Sequence, residues 1–277
     1  MKNIYIVGAT GYIGHNLLKA LGDKGEQNVS LVSRDLVDLS NTGFDTFIDT
    51  LNPNDFCIIL AALSSPDVCE KEFDRAYEVN VTNTSYFIDK LICKKVRVLF
   101  ASSDTVFGLL EGAATDDSPL APIGAYGEMK AQVEQKFKNE KYFKAFRLSY
   151  VLGPDDKFSQ MIKECNQSDK ELSVFEGFER NVVTLNDVIE GINNLVLKWD
   201  QIEVQYINFA GPELLSRYEI VKTQAFYLYP NLKFKETQAP DGFWKGRAKV
   251  IKMNSDHFPL LLNRPASYVK DILKDWS

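Results

Sequence analysis

Tyr126 and Lys130 stand four residues apart in Tyr126-Gly127-Glu128-Met129-Lys130. That spacing puts both side chains on one face of a helix. A lysine ammonium beside a phenol favours the phenolate and lowers its ordinary pKa of about 10 toward working pH. A tyrosine tuned in this way can exchange a proton with a substrate hydroxyl or carbonyl. Tyr-x-x-x-Lys also arises by chance, so its weight comes from its surroundings. It follows a long loop rich in Gly, Asp and Pro, residues 108–125, and loops of that length inside a domain are usually functional. Before the loop lies Ser102-Ser103-Asp104-Thr105-Val106-Phe107-Gly108, at the carboxyl end of an expected core strand. Open α/β sheets bind ligands there. A hydroxyl at that place can hydrogen-bond a reacting oxygen; the plainer alternative is a Ser/Thr cluster capping a turn.

A second group of residues suits a nucleotide. Gly8-Ala9-Thr10-Gly11-Tyr12-Ile13-Gly14 lies between an apolar strand and a helix, the context a dinucleotide fingerprint requires. Gly8 permits a tight turn, Gly11 a close approach to pyrophosphate, and Gly14 close helix–strand packing, while the helix N-terminus offers free N–H groups to the anion. About 20 residues further on, where an acid would bind the adenosine ribose of NAD, the chain reads Ser33-Arg34-Asp35. A guanidinium suits the 2′-phosphate of NADP, which favours NADP(H); Asp35 keeps NAD(H) open.

These residues need strands and helices to position them. Ile4–Val7, Val29–Val32, Phe56–Ala62, Val96–Ala101 and Ala145–Val151 are expected strands, with Leu36–Leu39 a very short third one. Phe56–Ala62 is near-continuously apolar, as in strands buried on both faces of a parallel sheet. Helices are expected over 11–21, ended by Gly22 and Gly25, over 70–93, and after the long loop with Met129, Val133 and Phe137 inward. This alternation predicts right-handed βαβ units in an α/β fold with a doubly wound parallel sheet. After Gly153 the rhythm changes. Residues 155–181 read as helix plus loop, Asn186-Asp187 cap a helix to about 198, and Gln205–Phe209 is a further strand. The expected organisation is a core over 1–153 with a returning segment at 182–210. A small C-terminal substrate-binding lobe takes the rest of 154–277, namely 154–181 and 211–277.

Composition removes several classes of function. The 277 residues are 45% apolar and 25% charged, which suits a soluble chain with a real core. Lys plus Arg number 32 against 38 Asp plus Glu, a net charge of −6 with no basic run, so no nucleic-acid partner is expected. Cys57, Cys69, Cys93 and Cys165 form no C-x-x-C pair, and His15 and His257 are the only histidines. They read as reduced cysteines, with no zinc or other metal site. No G-x-S-x-G points to a hydrolase. With no signal-peptide pattern and no apolar run near the ~20 residues of a membrane span, a cytoplasmic protein without a membrane partner is expected.

Together these motifs resemble the extended short-chain dehydrogenase/reductase family over nearly the whole chain. Ala61-Ala62-Leu63-Ser64 is similar to the family's loop over the cofactor, and Val79-Asn80-Val81-Thr82-Asn83-Thr84 to its "VN-x-x-(G/N)-T" segment. Within it, the nearest likeness is to the dTDP-4-dehydrorhamnose reductase group. Ser102 to Phe107 resembles its "STDYVF", and Thr115-Asp116-Asp117-Ser118-Pro119 its acidic loop before "YG-x-x-K". Arg147 to Gly153 resembles "R-T-S-W-V-(Y/F)-G", and Gly211 to Glu219 resembles "G-x-x-S-x-Y-E". Arg247 and Met253-Asn254-Ser255 resemble "R-P…L-D-x-S". Tyr150 stands where that group has tryptophan near the sugar, Thr105 where it has tyrosine, and Ala248 where it has proline.

The resemblance implies a Rossmann fold and a reductase. NAD(P)H would be held by Gly8, Thr10, Gly11, Tyr12, Ile13 and Gly14, by Ser33, Arg34, Asp38 and Leu39, by Ala61, Ala62, Leu63 and Asn80, and by Ala101, Ser102, Tyr126 and Lys130. Hydride would pass to the C4 ketone of a nucleotide-diphosphate sugar. Tyr126 would give the proton, Lys130 would tune it, and Ser103 would bond the developing alkoxide. Asp104 would assist as a second acid or cap a turn. Ser64, Thr105, Val106, Phe107, Tyr150, Arg180 and Arg247 would meet the substrate. Arg180 and Arg247, with Lys249 and Lys252, are candidates for its diphosphate, against a bland reading as surface charge. Phe178 and Trp244, with Tyr150, are candidates to stack on its base or sugar, against a reading as core. Two alternatives stay open: a nucleotide-sugar 4-epimerase, whose "SS-A-TVYG" also resembles Ser102–Gly108, and a non-catalytic NADP-binding regulatory subunit. A homodimer is the default expectation.

Overall fold

The computed structural model describes residues 2–22 and 28–276. Among them six strands pair in parallel: β1 (Asn3–Val7), β2 (Asn28–Val32), β3 (Phe56–Ile59), β4 (Arg97–Ser103), β5 (Phe143–Leu148) and β6 (Tyr206–Phe209). Their order is β2-β1-β3-β4-β5-β6. Four long helices cover this sheet: α1 (Tyr12–Gly22), α2 (Thr84–Cys93), α3 (Gly124–Lys136) and α4 (Leu185–Leu197). The strand period of two divides each strand between two cores. Phe56 and Ile58 pack with Leu17 and Leu21 of α1 and Val188 and Ile192 of α4. Cys57 and Ile59 pack with Phe87, Ile88 and Leu91 of α2 and Val133 of α3. Helices on both faces make the sheet doubly wound, as the alternation predicted. The chain steps from β1 to β2 on one side and to β3 on the other. That reversal opens a crevice at the carboxyl ends of β1 and β3.

Several boundaries differ from the sequence reading. No strand forms at Leu36–Leu39. Val37 and Leu39 are buried alternately, as in a strand, but Leu36 faces solvent and the Asp38 carboxylate accepts the Ser40 N–H (2.9 Å), bending the chain into a turn. β3 ends at Ile59, because the N–H groups of Leu60 and Ala61 both donate to the Val7 carbonyl and carry the chain over the glycine loop. The helix expected at 70–93 starts earlier, at Pro66, breaks at Glu72, and runs through a π-helical stretch, Glu78–Asn83. Thr184, not Asn186-Asp187, caps α4, its hydroxyl accepting the Asp187 N–H (3.1 Å). Asp187 is buried and instead holds Ser267 and Arg264 of the C-terminal segment. Gly22 ends α1 as expected; Gly25 lies outside the described residues.

The region read as helix plus loop contains the helix Lys157–Gln167 and two strands, Leu172–Phe175 and Glu179–Thr184. Glu179–Thr184 is the hub of a second sheet. It pairs with Val151–Leu152 just beyond β5, antiparallel with Glu213–Ser216, and parallel with Val250–Met253. This fastens the last third of the chain to the carboxyl edge of the main sheet. No helix among the described residues is long and apolar enough to cross a membrane.

Candidate active site

A cavity of about 620 Å³ opens at the carboxyl ends of β1, β3 and β4. One wall is the glycine loop, Gly8 to Gly14. Gly8 has φ +91°, and a Cβ there would fall 2.6 Å from the Ala61 nitrogen. A Cβ on Gly14 would fall 2.4 Å from the Gly8 carbonyl oxygen, so only glycine lets α1 start this close to β1. Arg34, Asp38, Leu39 and Ser40 line a second wall, Ala61 to Ser64 a third, and Ala101, Ser102, Tyr126, Lys130 and Leu148 a fourth. A dinucleotide fits these residues. The volume is that of a small-molecule site, the start of α1 offers N–H groups to an anion, and the buried Ser102 hydroxyl has no partner in the protein.

Two cofactor residues read from the sequence are not in the cavity wall. Ser33 is flanked by Val32 and Arg34, which do line it, while the Ser33 carbonyl accepts the N–H groups of Leu36 and Val37 and starts the turn. Asn80 sits behind the wall. Its amide bonds Leu63 in both directions, accepting from the nitrogen and donating to the carbonyl, each at 2.9 Å. Asn83 donates to the Leu39 carbonyl at 3.0 Å. The wide π-helical turn thus presents two buried asparagines that hold the loops at 61–64 and 38–40, a use of such bulges common at functional sites. Asn83, Val79, Ser40 and Arg75 escaped the sequence reading. Asn83 lay inside the quoted motif, but nothing local marked which loop it would reach.

Tyr126 and Lys130 both face the cavity from α3, as their spacing predicted. Gly127 between them brings α3 against the turn after β4; a Cβ there would fall 2.7 Å from the Thr105 carbonyl oxygen. The Lys130 ammonium donates to the Ala101 carbonyl at 2.7 Å and lies 5.7 Å from the centre of the Tyr126 ring. Burial lowers its pKa to about 7. The expected lowering of Tyr126 is not found. Burial raises the phenol above its usual value, and Cys69 and Asp104 add to the rise. Tyr126 is therefore held protonated, in the form that gives a proton.

The stretch after β4 is knotted to the lobe. The Ser103 hydroxyl donates to Asp104 at 3.0 Å and accepts from the Thr105 nitrogen and hydroxyl. Asp104 is buried, and burial raises its pKa while the Arg180 guanidinium, 3.0 Å away, opposes that rise. Arg180 is buried too. It also donates to the carbonyls of Glu179, Lys249 and Ala248, so it pins backbone and is not free for a diphosphate, as the sequence had suggested. Val106 and Phe107, expected at the substrate, are core residues packed with Ala114, Ile251 and Met253. Tyr150 is half-buried and donates to Asp156 at 2.7 Å. Arg247 pairs with Asp67 at 2.6 Å and donates to the Phe243 carbonyl. Ser64 lines the cavity; Thr105 is half-buried beside Ser103.

The long loop is anchored by Asp116, whose acidity was noted but whose partners were not foreseen. Its buried carboxylate accepts the Asn208 N–H (2.6 Å) and the Ser255 hydroxyl (3.1 Å), and meets His257 Nδ1 at 2.8 Å. Its carbonyl accepts from Arg147, which forms a fully buried pair with Glu134 of α3.

The family described as the RmlD substrate binding domain matches residues 1–267. A dTDP-4-dehydrorhamnose reductase of Aggregatibacter actinomycetemcomitans is 33% identical over 137 residues, 49% of this chain and 46% of that protein. The chain thus spans about half the length of that curated relative. Among solved structures, a dTDP-4-dehydrorhamnose reductase from Bacillus anthracis in complex with NADP superimposes with a TM-score of 0.86 at 21% identity, covering 99% of this chain and 98% of that one. A UDP-glucuronic acid 4-epimerase from Bacillus cereus, in complex with UDP-glucuronic acid and NAD, superimposes at 0.81 with 20% identity, covering 98% and 96%. At these identities the superpositions speak for the fold.

Proposed function

The chain belongs to the RmlD substrate binding domain family, and from that membership we propose an NAD(P)H-dependent reductase of a nucleotide-linked 4-keto-6-deoxy sugar. The observation that carries this reading is a dinucleotide-sized cavity with Tyr126 and Lys130 together in its wall. Its substrate would be of the kind that the matched dTDP-4-dehydrorhamnose reductase is named for. We assign substrate selection to the lobe, 154–181 and 211–277, with Tyr150 at its border.

A bound nicotinamide dinucleotide supplies the hydride for the carbonyl carbon. Tyr126 donates its phenolic proton to the carbonyl oxygen as negative charge builds there. Donation leaves a phenolate, which burial penalises unless a cation stands near; Lys130 is that cation. Ser103 gives the same oxygen a second hydrogen bond by turning its hydroxyl away from Asp104. The Thr105 nitrogen and hydroxyl, which donate to the Ser103 oxygen, keep it in place as it turns.

This division of labour sets a pH dependence. Lys130 is charged below about 7 and loses its proton as pH rises through that value. Since the charged form is the one that steadies the phenolate, kcat/KM for the keto sugar, which spans the proton-transfer step, is level at acid pH and falls up to about tenfold per unit above pH 7. Initial rates across the range check this; a level profile to pH 9 would contradict the role given to Lys130.

We place NADP(H) ahead of NAD(H). Arg34 lines the cavity, its side chain is 82% exposed, and its contact with Asp38 is a loose 3.7 Å. It is thus free to meet a 2′-phosphate, and Ser33 offers no competing carboxylate. Arg34→Ala should raise KM for NADPH about tenfold or more, as for the loss of a charge-assisted hydrogen bond, and leave KM for NADH almost unchanged. Equal effects on both cofactors would remove the preference.

The whole reading is tested with NADPH and a panel of 4-keto nucleotide sugars. Loss of nicotinamide absorbance matched to product supports a reductase. Product without net oxidation means a 4-epimerase, and binding without turnover means a regulatory subunit.

A further inference from the structure

Arg217 opens the helix α5 (Arg217–Tyr227) in the lobe; it lies within the Gly211–Glu219 motif but has no role assigned by the sequence. Its guanidinium is wedged between two aromatic rings, 4.8 Å from the centre of Phe158 and 4.5 Å from that of Phe178. Its Nε is buried with no hydrogen-bond acceptor. No carboxylate pairs with it among the described residues, unlike the two arginines nearby: Arg180 has Asp104 and Arg247 has Asp67. The one close acid, Asp156, is already occupied. Its oxygens accept from the Tyr150 hydroxyl, the Phe158 and Ser159 nitrogens, the Ser159 hydroxyl and the Gly153 nitrogen. Burial holds the Arg217 pKa below the usual arginine value; Tyr150 and Asp156 oppose that fall, and the charges of Arg180 and Arg247 add to it.

A half-buried cation without a counter-ion is unfavourable unless a ligand completes it. Its position says which ligand. Tyr150 is within electrostatic reach of both Arg217 and Tyr12, a wall residue of the cofactor cavity. Phe178, in contact with Arg217, meets the Trp244 ring at 6.0 Å in a tilted arrangement. A planar guanidinium with free donors on an aromatic wall suits bidentate binding of a phosphate, with apolar surface nearby for a base. We propose that Arg217 anchors the diphosphate of the nucleotide-sugar substrate, the role that Arg180 cannot fill because backbone carbonyls and Asp104 consume its donors. The proposal rests on the reductase reading above.

Calorimetric titration of dTDP, UDP, GDP and ADP into the NADP-loaded protein tests it. Arg217→Gln keeps most of the stem between the rings and removes the charge; Arg217→Lys restores charge without the fork. For the diphosphate that wild type binds best, R217Q should weaken affinity about 10- to 100-fold, R217K should recover part of the loss, and NADP affinity should stay within about twofold in both. An unchanged R217Q affinity overturns the proposal. So does an R217K no better than R217Q, or an NADP affinity that falls in step, since either marks a packing role. If wild type turns over a nucleotide sugar while R217Q binds normally, the anchor alone fails. If wild type binds none of these diphosphates, the anchor and the nucleotide-sugar reading fail together.

Discussion

Replacing Tyr126 by phenylalanine lowers the single-turnover rate of reduction about a thousandfold, within the span general acids contribute, and leaves NADPH affinity and the melting temperature nearly unchanged. The ring sits among Leu63, Cys69, Ala125 and Met129, contacts that phenylalanine keeps. Among the described residues none bonds the hydroxyl, and Tyr126 lines the cavity, so the substitution removes the transferable proton and little else. Burial already holds that proton on Tyr126 at neutral pH, so the wild-type group is ready to give it. A loss of less than about tenfold would move the acid role elsewhere, with Asp104 the next group to examine.

Arg147→Met has the largest expected effect on stability. Arg147 and Glu134 are 2% and 1% exposed. The guanidinium meets both Glu134 oxygens, 3.1–3.2 Å from Nε and 2.8 Å from Nη2, and also bonds the Asp116 carbonyl at 2.9 Å. Removing it strands a buried carboxylate, which should lower unfolding free energy by about 3–5 kcal/mol in denaturant titrations. The double variant Glu134→Leu with Arg147→Met should regain most of this, since no charge is then left unpaired. A single variant within about 1 kcal/mol of wild type, or a double variant no better than the single, would show that the pair is not what ties α3 to β5.

The parts of the site carried by local geometry were legible in the sequence. Gly8, Gly11 and Gly14 announce a turn and a helix start that neighbouring residues alone determine. The spacing of Tyr126 and Lys130 put both on the cavity face for the same reason. What depends on distant residues was not legible. The direction of the Tyr126 shift is set by burial under Cys69 and beside Asp104, which no spacing reveals. Arg180 reads as a free cation until Asp104 and the 248–249 backbone close around it. Val106 and Phe107 follow Ser103 closely in sequence but turn into the core. Val37 and Leu39 have the alternation of a strand, yet find no ladder partner, because Asp38 bends the chain. Arg217 looks like an ordinary residue of an exposed first turn; only the missing partner sets it apart.

The most direct test of the central claim follows the hydride. NADPH carrying deuterium at its transferable position is incubated with the protein and a 4-keto-6-deoxy nucleotide sugar, and the product is weighed by mass spectrometry. A reductase working through Tyr126 consumes one NADPH for each product and leaves one deuterium on C4. Product that forms without NADPH consumption, or that carries no deuterium, contradicts the account.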